Sequence, residues 1–402
     1  MKKKNVLFIM PSLFIGGAER SLLGLLDYFD YSRYNVNLFL FRHEGEYLRY
    51  IPEKVNVLPE MNEYGTIDVP IGGLVKSSKI LFGLFRTIGK LALHIHTVLK
   101  KEPAGVWMTM QYNSRYLLPL LPKIPGEYDL AVMFLGIGDV LTKKVNSRIK
   151  VTWNHTDYTT LYPDTQYDLR IYKKIDYIAS VSDLCTKQFL KIHPSLEDKT
   201  VTVENMLSID LLRAQSEEHI DDMPKPENGV ALLSIGRYCE AKNFDNVPFI
   251  CKHLINMGIA VKWYIIGYGN DEQLIRDKIR EAGAENDVIL LGKRSNPYPY
   301  VKSCDIYVQP SRYEGKSVAV REAQILNKPV VITDYPTSHS QLTDNYDGII
   351  VPMDNKGCAE GIARVINDKN LQNKLIQNTK ENDYTNSSEI KKIYNFMEEV
   401  NK

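Results

Sequence analysis

Asp305–Ala323 reads DIYVQPSRYEGKSVAVREA. Its first five residues, Asp305–Gln309, form the kind of short aliphatic and aromatic run that suits a strand buried on both faces. Glu314 then falls in the loop at the C-terminal edge of that strand. Gly315 permits a tight turn and a close backbone approach. Ser317 suits a helix N-cap, and the residues from Val318 onward open a helix. A strand, a glycine loop and a helix within nineteen residues is the signature of one turn of a parallel α/β domain.

The same alternation runs outward in both directions. In the first half the strand candidates are Asn5–Met10, Asn35–Phe41, Asp129–Phe134, Lys150–Asn154, Asp176–Val181 and Thr200–Glu204. In the second half they are Val230–Ile235, Val261–Ile266, Asp287–Leu291, Asp305–Gln309, Lys328–Thr333 and Gly348–Val351. Strands alternating with helical periods imply right-handed βαβ units. The 402 residues exceed one ordinary core. Arg213–Asn228, polar, acidic and carrying Pro224 and Pro226, reads as a linker. The expectation is therefore two Rossmann-like domains facing a central cleft. They comprise residues 1–212 and 229–383, joined by 213–228, with a C-terminal helix at about 384–402 packing back on the first domain.

Apolar residues make up 44% and charged residues 25% of the chain, which is a globular profile, and the formal net charge of +1 gives no basic nucleic-acid footprint. Cys185, Cys239, Cys251, Cys304 and Cys358 are odd in number and far apart, so a disulfide framework or zinc ribbon is not expected and a reducing cytoplasm is. Lys2–Lys4 followed by an apolar run imitates a secretory signal, but Pro11 interrupts the run, which reads as a first buried strand. Ile80–Leu99 is broken by Arg86 and Lys90 and is not expected to span a bilayer.

Several residue sets carry chemistry. Glu314 and, two helical turns on, Glu322 offer carboxylates that accept hydrogen bonds from paired sugar hydroxyls. Beside them, the first-turn N–H groups of the helix after Gly315, with Lys316, Ser317 and Val318, can hold a diphosphate. Arg237 and Lys242, after strand Val230–Ile235, can stabilise charge on a departing phosphate. Gly16 and Gly17 let the first loop approach a ligand, and Gly267 marks a turn after another strand. His155 stands at the end of a strand, where it can bond a hydroxyl. No G-x-G-x-x-G is complete, so nicotinamide binding is not expected. No Asp-x-Asp occurs either, so no metal is expected.

Taken together these motifs resemble one family. Glu314 and Glu322 are similar to the E-x7-E signature of retaining family-four glycosyltransferases of the GT-B fold, the glycosyltransferase group 1 proteins of bacterial surface-polysaccharide synthesis. Gly16-Gly17-Ala18-Glu19 resembles the family's GGAE-type loop, and Gly236-Arg237 with Lys242 resembles its G-R-x-x-x-x-K element. His155 resembles its active-site histidine. Ser180-Val181-Ser182 and Glu204-Asn205 with Asp210 are similar to weaker motifs, so the likeness runs from Asn5 to about Asp354. It implies a UDP- or GDP-sugar donor, a glycan or polyprenyl-linked acceptor, and no cofactor. It also implies a front-face mechanism in which the departing phosphate helps deprotonate the acceptor. Glu314, His155, Arg237 and Lys242 carry the reaction in that reading, with Glu314 on the sugar and Glu322 on the ribose. Two departures lie near the donor sugar: Tyr335–Gln341 replaces a glycine-rich stretch, and Lys316 replaces an apolar residue. A non-hydrolysing nucleotide-sugar epimerase and a non-catalytic partner subunit are the alternatives.

Val75–Lys101 stands apart. It carries six cations, Lys76, Lys79, Arg86, Lys90, Lys100 and Lys101, and no acid, interleaved with Leu and Phe. A basic amphipathic helix of this kind suits peripheral contact with a membrane, here the inner face of the plasma membrane. The bland counterpart is a half-buried helix with a solvated cationic face.

Overall fold

The computed structural model describes residues 3–67, 69, 72, 79–101, 103–314 and 317–398. Gly315, Lys316 and residues 75–78 of the basic stretch, among them Lys76, lie outside that set, as do residues 399–402. The chain divides into two compact units, residues 1–206 with 386–402, and Leu207–Thr385.

The first unit holds strands β1 (Lys4–Met10), β2 (Tyr34–Leu40), β3 (Asn56–Val57), β4 (Glu127–Met133), β5 (Asn146–Asn154), β6 (Tyr177–Ser180) and β7 (Thr200–Thr202). They form one parallel sheet in the order β3-β2-β1-β4-β5-β6-β7. Helices α1 (Gly17–Asp27), α2 (Ile80–Lys100), α3 (Val106–Leu117), α4 (Asp139–Lys144), α5 (Thr165–Tyr172) and α6 (Asp183–Ile192) connect them. Alternate residues of β1 serve the two faces, as the pleat requires. Leu7 and Ile9 enter a core with Phe39, Ala131 and Met133, while Phe8 meets Phe29 edge-on at 5.8 Å.

The second unit repeats the plan with β8 (Val230–Ile235), β9 (Val261–Ile266), β10 (Val288–Gly292), β11 (Ile306–Gln309), β12 (Val330–Thr333) and β13 (Ile349–Val351). The sheet is again parallel, in the order β10-β9-β8-β11-β12-β13. Its helices are α7 (Ile209–Ser216), α8 (Val247–Asn256), α9 (Glu272–Glu281), α10 (Tyr298–Ser303), α11 (Val318–Ile325), α12 (Ser338–Gln341), α13 (Asn355–Asn367) and α14 (Lys369–Glu381). At the sheet's centre Trp263 Nε1 donates to Ser234 Oγ at 2.9 Å, and that hydroxyl donates to the Val308 carbonyl at 2.6 Å. A buried indole N–H beside a strand thereby finds its partner.

The stretch expected to be a linker, residues 213–228, is instead part of the second unit. Ser208 caps α7 through the Leu211 N–H, and Leu211, Leu212 and Gln215 are buried at helical spacing. Met223 enters the core, Asp222 pairs with Arg294, and Tyr264 donates to the Pro224 carbonyl at 2.5 Å. One methionine, one ion pair and one hydrogen bond to a carbonyl pin an otherwise polar string to the second unit, and the division falls at 206/207 and not at 212/213.

After Thr385 the chain returns to the first unit. The Asn386 amide donates to Glu204 Oε2 at 2.9 Å, and the Glu204 N–H donates to Glu389 Oε2 at 2.8 Å. Helix α15 (Ile390–Glu398) then stacks Tyr394 on Tyr34, with ring centroids 4.9 Å apart and 9° between planes. Phe396 stacks on Tyr177 at 4.5 Å. Truncating the buried Phe396 removes that ring and leaves a void. Phe396→Ala should destabilise the first unit by about 3 kcal/mol and raise hydrogen exchange in β6 without altering exchange in β8–β13. Unchanged exchange in β6 would show that the returning helix is not part of the first core.

Candidate functional site

In the second unit the strand order reverses between β8 and β11, the position where open parallel sheets bind ligands. Both charged motifs leave from those two strands. Gly236 and Arg237 follow β8, and Lys242 ends a 3-10 turn, Glu240–Lys242. Glu314 lies in the loop between β11 and α11. Lys242 Nζ donates to Glu314 Oε1, and Ser311 Oγ donates to the same oxygen at 2.7 Å. The two charged side chains are only 18% and 12% exposed, so their attraction is screened far less than that of a surface pair. Ser311 Oγ accepts from Gln309 Nε2 at 3.0 Å, and Gln309 Oε1 accepts from the Tyr307 hydroxyl at 2.7 Å. A file of buried hydrogen bonds along β11 thus aims the carboxylate.

The two loops are also stitched together. Arg312 makes two bonds to the Asp245 carboxylate, at 2.9 and 2.7 Å, and a third to the Glu240 carbonyl at 2.7 Å. Gly267, after β9, presses so close that a Cβ there would lie 1.9 Å from the Gly236 carbonyl oxygen. Glycine is required by that approach, and it holds the β8 loop against the β9 loop. Arg237, by contrast, is exposed and has no partner among the described residues. The structure thus brings Lys242 and Glu314 into contact and leaves Arg237 open to an anion.

The start of α11 is held by hydrogen bonds that the sequence does not show. Ser317 occupies the N-cap position but its hydroxyl makes no cap bond. Its own N–H donates to Gln341 Oε1 at 2.6 Å, and Gln341 Nε2 returns to the Ser317 carbonyl at 3.4 Å. Thr337 Oγ1 donates to the Glu314 carbonyl at 2.7 Å. The polar segment Tyr335–Gln341 therefore holds Glu314 and Ser317, the described residues on either side of Gly315 and Lys316. Val318 opens the helix 40% exposed, whereas Glu322 is only 4% exposed and accepts from the Tyr298 hydroxyl at 2.8 Å. Glu322, expected to face a ligand from the helix, thus has Tyr298 on one oxygen. Thr337 and Gln341 lie in the Tyr335–Gln341 stretch that the sequence marked as a departure, whereas Arg312 and Tyr298 were not singled out. Of those two, Arg312, two residues before Glu314, lies close enough to a motif to have been suspected.

In the first unit Gly16 is the N-cap of α1 and Gly17 its first residue. A Cβ on Gly16 would meet Glu19 Oε2 at 2.1 Å, whereas nothing lies near Gly17. The Glu19 carboxylate covers the first glycine, and burial raises its pKa. His155, just after β5, donates from Nε2 to the Phe134 carbonyl at 2.7 Å. Its ring is nearly parallel to Trp153 (15°, 6.3 Å) and lies against Phe134 at 4.8 Å. Burial pushes its pKa down to about 4, so the ring is neutral at pH 7. With the proton committed to Nε2, Nδ1 is left as a hydrogen-bond acceptor. Among the described residues no group of three or more His, Cys, Asp or Glu side chains could hold a metal ion. All five cysteines are free.

Residues 215–382 match the family described as glycosyl transferases group 1. An uncharacterized glycosyltransferase of Methanocaldococcus jannaschii is 26% identical over 209 residues, 50% of this chain and 52% of that protein. A Campylobacter jejuni N-acetylgalactosamine-N,N'-diacetylbacillosaminyl-diphospho-undecaprenol 4-alpha-N-acetylgalactosaminyltransferase is 28% identical over 143 residues, 35% of this chain and 38% of that protein. The matched segments thus span about half or less of these relatives' length. In three dimensions the whole fold is similar to a Staphylococcus aureus TarM variant crystallised with fondaparinux, α-GlcNAc-glycerol and UDP. The TM-score is 0.58 and the identity 15%, over 98% of this chain and 99% of that one. The expected α/β fold with two parallel-sheet, Rossmann-like domains is therefore the observed one.

The histidine provides a pH test of this geometry. A pKa that folding lowers from 6.5 to about 4 means that the unfolded chain takes up a proton in a range where the folded chain does not. The stabilisation is present above pH 6.5 and is lost as the pH falls toward 4. Carboxylates titrate in the same range, so the comparison is with His155→Gln. The stability of wild type relative to this variant should fall by about 2–3 kcal/mol across the window. A pH-independent difference in urea titrations would place His155 in a solvated setting.

Proposed function

We propose that this protein is a retaining glycosyltransferase of the family-four type. It moves a sugar from a UDP- or GDP-sugar to a glycan or polyprenyl-lipid-linked acceptor in bacterial surface-glycan assembly. The observation that carries this reading is the Lys242–Glu314 pair beside Arg237, which has no partner among the described residues, at the reversal point of a sheet within the segment that matches group 1 glycosyl transferases. The Campylobacter relative is named for a diphospho-undecaprenol substrate, and the TarM variant was crystallised with UDP. Both support the choice of substrate class.

Glycosyl transfer from such a donor breaks the bond between C1 of the sugar and the diphosphate oxygen. The electron pair leaves with the diphosphate. Arg237 and Lys242 meet that growing negative charge, Arg237 through a planar fork and Lys242 as a point charge held by Glu314. The Oε2 atom of Glu314 accepts from none of the described residues and is assigned to a sugar hydroxyl. Glu322, with Tyr298 on one oxygen, is assigned to the ribose, and His155 Nδ1 to a hydroxyl of the transferred sugar. Gly17, Gly267 and the Gly315–Val318 segment are assigned to backbone contact with the donor. Both signature carboxylates are already hydrogen-bonded or ion-paired, which favours a mechanism without a protein nucleophile. The acceptor oxygen then attacks C1 on the face the diphosphate leaves, and the departing oxygen takes the acceptor's proton. The chain's own cations carry the charge, so no metal is assigned.

Purified protein incubated with a panel of UDP- and GDP-sugars should release nucleoside diphosphate only when a glycan or lipid-diphosphate acceptor is present. The product should keep the donor's anomeric configuration by NMR. Inverted product would overturn the retaining mechanism, and epimerised donor without acceptor would favour the epimerase alternative. Arg237→Ala and Lys242→Ala should each lower kcat/KM by 100-fold or more, on the order of 3 kcal/mol of transition-state stabilisation, while leaving the protein folded. Turnover should survive EDTA; loss on chelation with recovery on adding manganese would assign the charge to a metal instead.

A further inference from the structure

Helix α2 is apolar on two opposite sides. Toward the core, Phe82 and Phe85 pack on the main cluster of the first unit, Leu93 meets Met108 and Tyr112, and Gly89 lies close to the Tyr112 backbone. Arg86 also points inward. It is buried and donates to the carbonyls of Thr66, Ile67 and Val69 at 2.8, 2.7 and 3.0 Å. The expected cationic face therefore loses Arg86, which fastens a neighbouring loop.

Toward water, Ile80, Leu84, Ile88, Leu91, Ile95 and Val98 recur at intervals of three and four residues and form one stripe. All six are exposed, Ile80 by 68% and Leu91 by 59%, and Leu99 at the end of the stripe by 77%. Single exposed apolar residues are ordinary, but an unbroken stripe along a 21-residue helix is not. A helix that is apolar all round needs an apolar neighbour on both sides, and here the core supplies one.

We infer that the outer stripe of α2 lies in the surface of an anionic lipid bilayer, parallel to its plane. Charge selects this occupant. Lys90 flanks the stripe, Lys100 and Lys101 end it, all three are exposed, and no acid occurs between Asp68 and Glu102. Anionic headgroups complement that arrangement. A second copy docked stripe to stripe would set cations against cations with no acid from either helix. No helix among the described residues is long and apolar enough to cross a membrane, so the contact is in-plane. This placement does not depend on the assigned reaction.

The test is co-sedimentation of the full chain with vesicles of equal phosphatidylglycerol and phosphatidylcholine, against pure phosphatidylcholine, with sedimentation velocity of the free protein. Wild type should partition at least tenfold more strongly onto the anionic vesicles. Leu84→Glu/Leu91→Glu/Ile95→Glu alters only exposed positions and should abolish binding while keeping the wild-type circular dichroism. Lys90→Glu/Lys100→Glu/Lys101→Glu keeps the apolar stripe and should lose the preference for anionic lipid; it also decides the matter should the first variant misfold. Three outcomes overturn the inference: wild type left in the supernatant, charge-reversed protein that still prefers anionic vesicles, or a dimer that the stripe variant dissociates and that binds no vesicle. Turnover on a water-soluble acceptor should be the same in wild type and both variants, so a failed membrane result leaves the transferase reading untouched.

Discussion

The ion pair between Lys242 and Glu314 organises the second unit. It joins the loop after β8 to the loop after β11, the two strands between which the sheet order reverses. Each half is braced separately. The carboxylate is braced by Ser311, Gln309 and Tyr307 in line along β11, and the lysine loop by the grip of Arg312 on Asp245 and the Glu240 carbonyl. Removing one member of a shielded pair leaves the other uncompensated, which costs far more than the net worth of the pair. A diphosphate that replaces part of the carboxylate's hold on Lys242 avoids that penalty, because it offers the ammonium another anion. The pair therefore suits a site that is stable when empty and receptive to an anionic ligand, with Arg237 beside it unpartnered among the described residues.

The neighbouring loops of the second unit are fastened around that constraint. Gly267 lets the β9 loop close on Gly236, and Tyr335–Gln341 fastens the far loop at Glu314 and Ser317. In the first unit His155 is held neutral by burial and oriented by the Phe134 carbonyl. It provides a fixed acceptor with no charge of its own, a property suited to an uncharged hydroxyl.

Much of this was legible in the residues because buried parallel strands leave a strong signal. The aliphatic runs at Val230–Ile235 and Val261–Ile266 coincide with β8 and β9 residue for residue. Only β3, two residues at a sheet edge, had no run long enough to notice. The charged motifs were legible as types and positions, but not as contacts. Nothing in the spacing of Lys242 and Glu314, 72 residues apart, says that they pair, nor that Tyr298 occupies one oxygen of Glu322. Long-range side-chain partners depend on tertiary packing, which local pattern does not encode. For the same reason Arg86 read as a surface cation: its helical position is apolar-facing, and only the carbonyls of Thr66–Val69 explain why a guanidinium is buried there.

In the proposed reaction a donor's diphosphate sits at the Lys242–Glu314 junction. A crystal structure of the full chain with UDP tests it most directly. The β-phosphate should lie within about 3 Å of Lys242 Nζ, with Arg237 drawn onto the phosphate oxygens and the Lys242–Glu314 contact lengthened or shared. A diphosphate bound away from β8 and β11, with the ion pair and Arg237 unmoved, would contradict it.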